Sequence, residues 1–161
     1  INVSGNSMNL TLLRAAASPQ MRSDNGTQTM RFAFMGYEGD FADAAAVRAG
    51  YEMNVPAAVI PGAAGNLQFA SANRNNVILE TVKPAEDGSG DLILRLYEAC
   101  GAACTAKAVL APQIAGVWKT DMLENTGEEI PCADSHSLEL TFGPFEIRTV
   151  RVRLGEAGAK A

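Results

Sequence analysis

The stretch NVILETVKPAEDGSGDLILRLYEACG, residues 76–101, alternates apolar and polar side chains on either side of a charged loop that carries Gly88 and Gly90. A period of two sends successive side chains to opposite faces, so each run reads as a half-buried strand and the pair as an antiparallel hairpin. In the first run Val77, Leu79 and Thr81 share one face, and Ile78, Glu80 and Val82 the other. In the second, Leu92, Leu94 and Leu96 oppose Ile93, Arg95 and Tyr97.

The neighbouring segments continue in the same manner. CTAKAVLA and IAGVWKTDML extend a meander, and SLELTFGPFEIRTVRVRL supplies a last pair of strands broken at Gly143-Pro144, where proline cannot donate to a ladder. LQFASA reads as a short strand and VPAAVIPGAAGN as a connector. Nearer the start, MNLTLLRA alternates, stops in the polar loop SPQMRSDNG, and TMRFAF restarts a strand. One segment breaks the rule: in DFADAAAVRAGYEMN, Phe41, Ala44, Val47 and Tyr51 recur at helical spacing, with Asp40 placed as N-cap and Pro56 beyond the end. The expected fold is mainly β, an antiparallel β-sandwich with one α-helix.

Composition bounds the rest. A chain of 161 residues fills one ordinary domain or two small ones and buries about 70% of its unfolded surface. An apolar share of 47% with 19% charged residues is globular, and no apolar run approaches the length of a membrane helix. A net charge of −5, with the arginines scattered, argues against a nucleic-acid partner. The start, INVSGNSMNLTLL, lacks a basic segment followed by an apolar one; it reads as a piece of a longer protein rather than a targeting peptide. The cysteines Cys100, Cys104 and Cys132 are odd in number, which fits a reducing compartment, with cytoplasm the expectation. The sequons at Asn2, Asn9 and Asn25 read as chance occurrences.

The residues that usually perform chemistry are sparse. His136 is the one histidine; with Asp134 it offers two metal ligands at most, and the segment reads as a solvated turn before a strand. Cys100 and Cys104 have no second pair to complete a tetrahedral zinc site. Gly88-Ser89-Gly90 joins two strands and opens no helix, so it reads as a turn and not a phosphate cradle. The carboxylate pairs Glu128-Glu129, Glu86-Asp87 and Asp121/Glu124 are the residue type a glycosidase uses, but they fall in loops or strand ends where solvated charge is the plainer reading. Trp118, Tyr97, Tyr37 and Tyr51 are candidates for stacking on a sugar face; Trp118, between Val117 and Lys119, equally suits a core. No catalytic and no metal-binding residue is assigned.

VILETVKPAEDGSGDLILRLYEACG resembles the C-terminal β region of α-mannosidases of glycoside hydrolase family 38, in their bacterial and cytosolic branch. LTLLRAAASPQMRSDNG, AGYEMNVP, KTDMLEN and FGPFEIRTVRV are similar, in order, to further segments of that region, so the resemblance covers nearly the whole chain. Gln28-Thr29 and Gly36-Tyr37 depart from the pattern. The resemblance implies a retaining α-mannosidase whose zinc, nucleophile and acid/base all belong to a large N-terminal domain; it implies no cofactor for this segment. It implies residues 1–36 as the end of a preceding β domain, 37–63 as helix and connector, 64–156 as the C-terminal antiparallel sandwich, and 157–161 as a frayed tail. Residues 1–36, cut from that domain, are expected to leave part of their apolar face uncovered. The expected function is non-catalytic: scaffolding the catalytic domain of the same parent chain and helping to wall the cleft for a mannose-containing oligosaccharide. Arg14, Asp24 and Gly26 match the family pattern and are the candidates for facing that cleft; structural roles, as a strand-end charge at Arg14 and a turn at Gly26, are the alternative. Two other functions fit the same residues: an interaction or homo-oligomerisation domain with an open sheet edge, and a carbohydrate-binding sandwich.

Overall fold

The computed structural model describes residues 1–14, 18–22, 24–39, 45–55, 57–59, 61–62 and 65–155. It divides into two compact units, Ile1–Gly36 and Tyr37–Ala161.

The first unit holds one ladder, β1 (Asn2–Ser4) antiparallel to β2 (Ser7–Asn9), with Val3 opposite Met8. Gly5 turns the chain between them at φ +55°, a conformation that costs glycine nothing. The strands expected over MNLTLLRA and TMRFAF are not formed beyond Asn9: residues 10–14 and 29–36 carry no ladder. Alternation marks a face that wants cover, but a strand also needs a neighbour's amides and carbonyls, and no described segment supplies them here. Met8, Leu10, Leu12, Phe32 and Phe34 are accordingly exposed, Phe34 to 81%.

The second unit is the sandwich. Among its described residues a helix, α1 (Ala45–Asn54), precedes nine strands: β3 (Ala70–Ala72), β4 (Val77–Pro84), β5 (Leu92–Glu98), β6 (Cys104–Leu110), β7 (Ile114–Thr120), β8 (Thr126–Glu129), β9 (Cys132–Asp134), β10 (Ser137–Phe142) and β11 (Ile147–Leu154). One sheet runs β4-β5-β11-β7-β8 and the other β3-β6-β10-β9, and the pairings described are antiparallel. Inward residues of both sheets make one core: Leu94, Leu96, Val117, Val150 and Val152 from the first meet Ala106, Leu110, Leu138, Leu140 and Phe142 from the second. The mainly β sandwich, with one helix among the described residues, is as expected from the sequence. Asp40, Phe41, Ala44, Pro56 and the tail 157–161 lie outside the described residues.

The leading hairpin departs from strict alternation at one point. Leu79 pairs with Leu96, but Thr81 pairs with Arg95, so Glu80 is the extra residue of a β-bulge. The bulge shifts the pairing of the next two residues: Thr81 lies opposite Arg95 and Val82 opposite Leu94, and Val82, on the edge strand, stays exposed. β4 is an edge strand, where a bulge is tolerated because only one neighbour must be matched.

The two sheets are also tied by one buried carboxylate. Glu98, fully buried, continues the inward series Leu92, Leu94, Leu96. Its Oε1 accepts from Asn76 Nδ2 (2.9 Å) and the Cys100 amide (2.9 Å), and its Oε2 from the amides of Gly101 (2.7 Å) and Phe145 (3.0 Å). The carboxylate thereby joins the entry to β4, the β5–β6 loop and the β10–β11 turn. It also fixes two left-handed residues, Gly101 (φ +77°) and Phe145 (φ +56°); a Cβ on Gly101 would lie 2.9 Å from the Phe145 ring. Burial alone would raise the Glu98 pKa, but the four hydrogen bonds outweigh it and hold the carboxyl at about 2.

Because Glu98 titrates at 4.5 in an unperturbed chain and about 2 when folded, its contribution is full above about pH 5 and is lost as pH falls towards 2. That linkage is on the order of 3 kcal/mol. The substitution E98Q, which strands buried amides, is expected to cost about 2 kcal/mol at pH 7 in urea unfolding and to flatten the dependence of stability on pH between 5 and 2.

Candidate functional site

The charged residues of the hairpin loop find partners far away in sequence. Asp91, nearly buried, accepts from Arg151 Nε (2.6 Å) and Arg153 Nε (3.1 Å), both on β11. Arg151 also reaches Asp87 (2.7 Å) and the Ser89 hydroxyl (2.7 Å). Successive outward positions on one strand, Arg151 and Arg153, thus clamp the loop of the neighbouring hairpin. Hydrogen bonds from Ser89 and Arg151 hold Asp87 at about 2, and those from Arg153 and Arg151 hold Asp91 below the ordinary carboxylate range.

A second clamp joins β4 to the β7–β8 turn. Lys83 Nζ lies 2.6 Å from Glu124 and 2.5 Å from Glu86, and the Glu86 amide donates to Glu124 at 2.9 Å. Glu124 has a left-handed backbone (φ +68°), held by Asp121, whose carboxylate caps the turn through the amides of Leu123 and Asn125. The carboxylates Glu86, Asp87, Asp121 and Glu124 therefore hold turns and ion pairs together, as the solvated-charge reading had only partly foreseen.

Asp134 and His136 form a turn rather than a ligand pair. Asp134 accepts from the His136 amide (2.8 Å), the Ser137 hydroxyl (2.6 Å) and Lys107 (3.0 Å), while His136 Nδ1 lies 3.2 Å from the Pro112 carbonyl. Among the described residues no three His, Cys, Asp or Glu side chains converge to hold a metal ion. These donors do not fit zinc. None of the cysteines forms a disulfide. Trp118 is neither core nor open platform: half-buried on the outer face, its ring packs over Gly116 and sits under Arg153, whose guanidinium is 4.9 Å from the ring centroid.

Arg14, Asp24 and Gly26 belong to the Ile1–Gly36 unit. Arg14 and Gly26 are exposed and Asp24 is half-buried; Gly26 adopts φ +127°, which favours glycine there.

The concave feature that sequence reasoning missed lies between α1 and the β3 and β4 edges of the two sheets. It has a volume of about 590 Å³ and is lined by Tyr51, Glu52, Gln68, Ile78, Leu79 and Glu80, among others. Arg48 fixes the helix in place by donating to the carbonyls of Arg74 (3.3 Å) and Asn75 (2.9 Å). The Tyr51 and Tyr97 hydroxyls are 3.3 Å apart, and burial, with that contact, pushes Tyr97 up to about 12. Long-range approach of a helix to two sheet edges leaves no local signal in sequence; the helical spacing of Val47 and Tyr51 was the only pointer.

The clamps make a graded prediction. D91A, which removes the main partner of a nearly buried guanidinium, is expected to lower stability by about 3 kcal/mol in urea unfolding. D87A, whose carboxylate is half exposed and screened by solvent, should move the unfolding midpoint far less than D91A.

Comparison with known proteins agrees with the hairpin and its partners. The family model for the glycosyl hydrolases family 38 C-terminal beta sandwich domain matches residues 76–150. Alpha-mannosidase 2C1 of Homo sapiens is 32% identical over 154 residues, covering 91% of this chain and 15% of the relative. The Mus musculus protein of the same name is 35% identical over 160 residues, covering 92% and 15%. Alpha-mannosidase G of Dictyostelium discoideum is 26% identical over 159 residues, covering 91% and 14%. The chain thus spans about 15% of the length of the first two relatives. Through the sandwich built on β4 to β11, this chain belongs to glycosyl hydrolase family 38, as its C-terminal β-sandwich domain.

Proposed function

We propose that this chain is the non-catalytic C-terminal β region of a retaining α-mannosidase that removes terminal α-mannosides. Its role is to scaffold the catalytic domain of the same parent polypeptide and to help wall the substrate cleft. One observation carries the reading: the charged residues in the family-like segments bind one another. Lys83 meets Glu124, Asp91 meets Arg151 and Arg153, and Glu98 meets backbone amides. Groups engaged in this way build a rigid support and leave few side chains for proton transfer or nucleophilic attack.

We assign zinc and the catalytic carboxylates to other parts of the parent, as the resemblance to the family implies. Among the described residues no helix is long and apolar enough to cross a membrane. The odd number of cysteines fits a reducing compartment, and we place the parent in the cytoplasm. Arg14, Asp24 and Gly26 remain the residues we assign to the wall of the cleft, on their match to the family pattern.

A second reading, an interaction or oligomerisation surface, is favoured by the exposed Leu10, Leu12, Phe32 and Phe34 in the first unit. Incubating the purified chain with a chromogenic α-mannoside and zinc separates catalyst from scaffold. The expected result is no turnover above buffer; turnover that persists through repeated purification would overturn the scaffold reading.

A further inference from the structure

The cleft between α1 and the β3/β4 edges has a volume of about 590 Å³, inside the range of roughly 300–1,000 Å³ typical of small-molecule sites. Its lining combines apolar Ile78 and Leu79 with Glu52, Gln68, Glu80 and Tyr51. That is the division a sugar ring presents, with a C–H face that packs on aromatic and aliphatic surface and a rim of hydroxyls that donate to carboxylate and amide oxygens.

Two features of the chain build this cleft rather than merely leave it. The bulge at Glu80 takes that residue out of the β4–β5 ladder at the point where β4 borders the cleft; bulges serve to re-aim side chains beside sites. Arg48, the cation of the lining, is committed to the carbonyls of Arg74 and Asn75, so the cleft meets a ligand with carboxylates and neutral groups. That balance favours a neutral hydroxyl donor over an anion.

We propose that this cleft is a saccharide-binding site for a neutral hexose, with Glu52 and Glu80 accepting from its hydroxyls and Tyr51 packing on its C–H face. The choice of a mannoside as its ligand rests on the functional reading above; the site itself does not.

The test is an NMR titration of the ¹⁵N-labelled chain with α-linked mannobiose, with maltose as a second neutral sugar and glucuronate as an anion. Mannobiose is expected to bind saturably with Kd on the order of 1 mM, shifting the amides of Tyr51, Glu52, Ile78 and Glu80. E80Q should weaken binding about tenfold, Y51A should abolish it, and Y51F, which keeps the ring, should bind as the wild type does. Maltose binding at the same amides without mannobiose binding upholds the site and counts against the mannoside. Overturning results are no saturable shift with either neutral sugar up to about ten times the expected Kd, shifts confined to other strands, or glucuronate binding as tightly as mannobiose.

Discussion

A single carboxylate, Glu98, sets the geometry of one end of the sandwich. Placed where the alternation of β5 demands an apolar residue, it is tolerated because four donors converge on it. Those donors come from the entry to β4, from the β5–β6 loop and from the β10–β11 turn, so a charge that costs free energy to bury becomes the joint between the two sheets. The left-handed backbones of Gly101 and Phe145 are held by the same joint. At the other end of the β4–β5 hairpin, Asp91 with Arg151 and Arg153 plays the complementary part, and Lys83 with Glu124 extends it to the β7–β8 turn.

The charged residues of the segments that resemble the family are tied to one another across the fold. V-K in β4, E-D-G in the hairpin loop, L-Y-E in β5, the T-D-M-L-E turn and the R-V-R of β11 are contact partners in space. Each pair joins elements that the hydrophobic core alone would let slide, since a sandwich of alternating Leu and Val specifies faces better than it specifies loops. A support of this stiffness suits a domain whose proposed task is to hold a neighbouring cleft in shape, and the helix-bounded cleft on its own edge is the proposed site for sugar.

How much of this was legible in the sequence depends on range. The hairpin and the strands β5, β6, β7, β10 and β11 were readable because their period of two is carried by large apolar residues. β8 and β9, TGEE and CAD, are short and fully exposed, so they have no apolar face to betray them. The bulge at Glu80 was invisible because E-T-V alternates equally well in either register. In residues 10–14 and 29–36 the pattern overstated the structure, since a ladder needs a partner strand as well as an apolar face. One signal was present and passed over: Glu98 sits two residues beyond Leu96 on the inward face, and a carboxylate at a core position announces a buried network. The cleft, by contrast, arises from approach of a helix to two sheet edges, which no local pattern encodes.

The central claim is that the Glu98 carboxylate holds the loops at its end of the sandwich. Native-state hydrogen exchange at the amides of Cys100, Gly101 and Phe145, compared between the wild type and E98Q, addresses it directly. The account predicts strong protection of the three amides in the wild type and its loss at these sites in E98Q, with the amides of β7 unchanged. Equal protection in both proteins, or loss spread evenly over every strand, would contradict it.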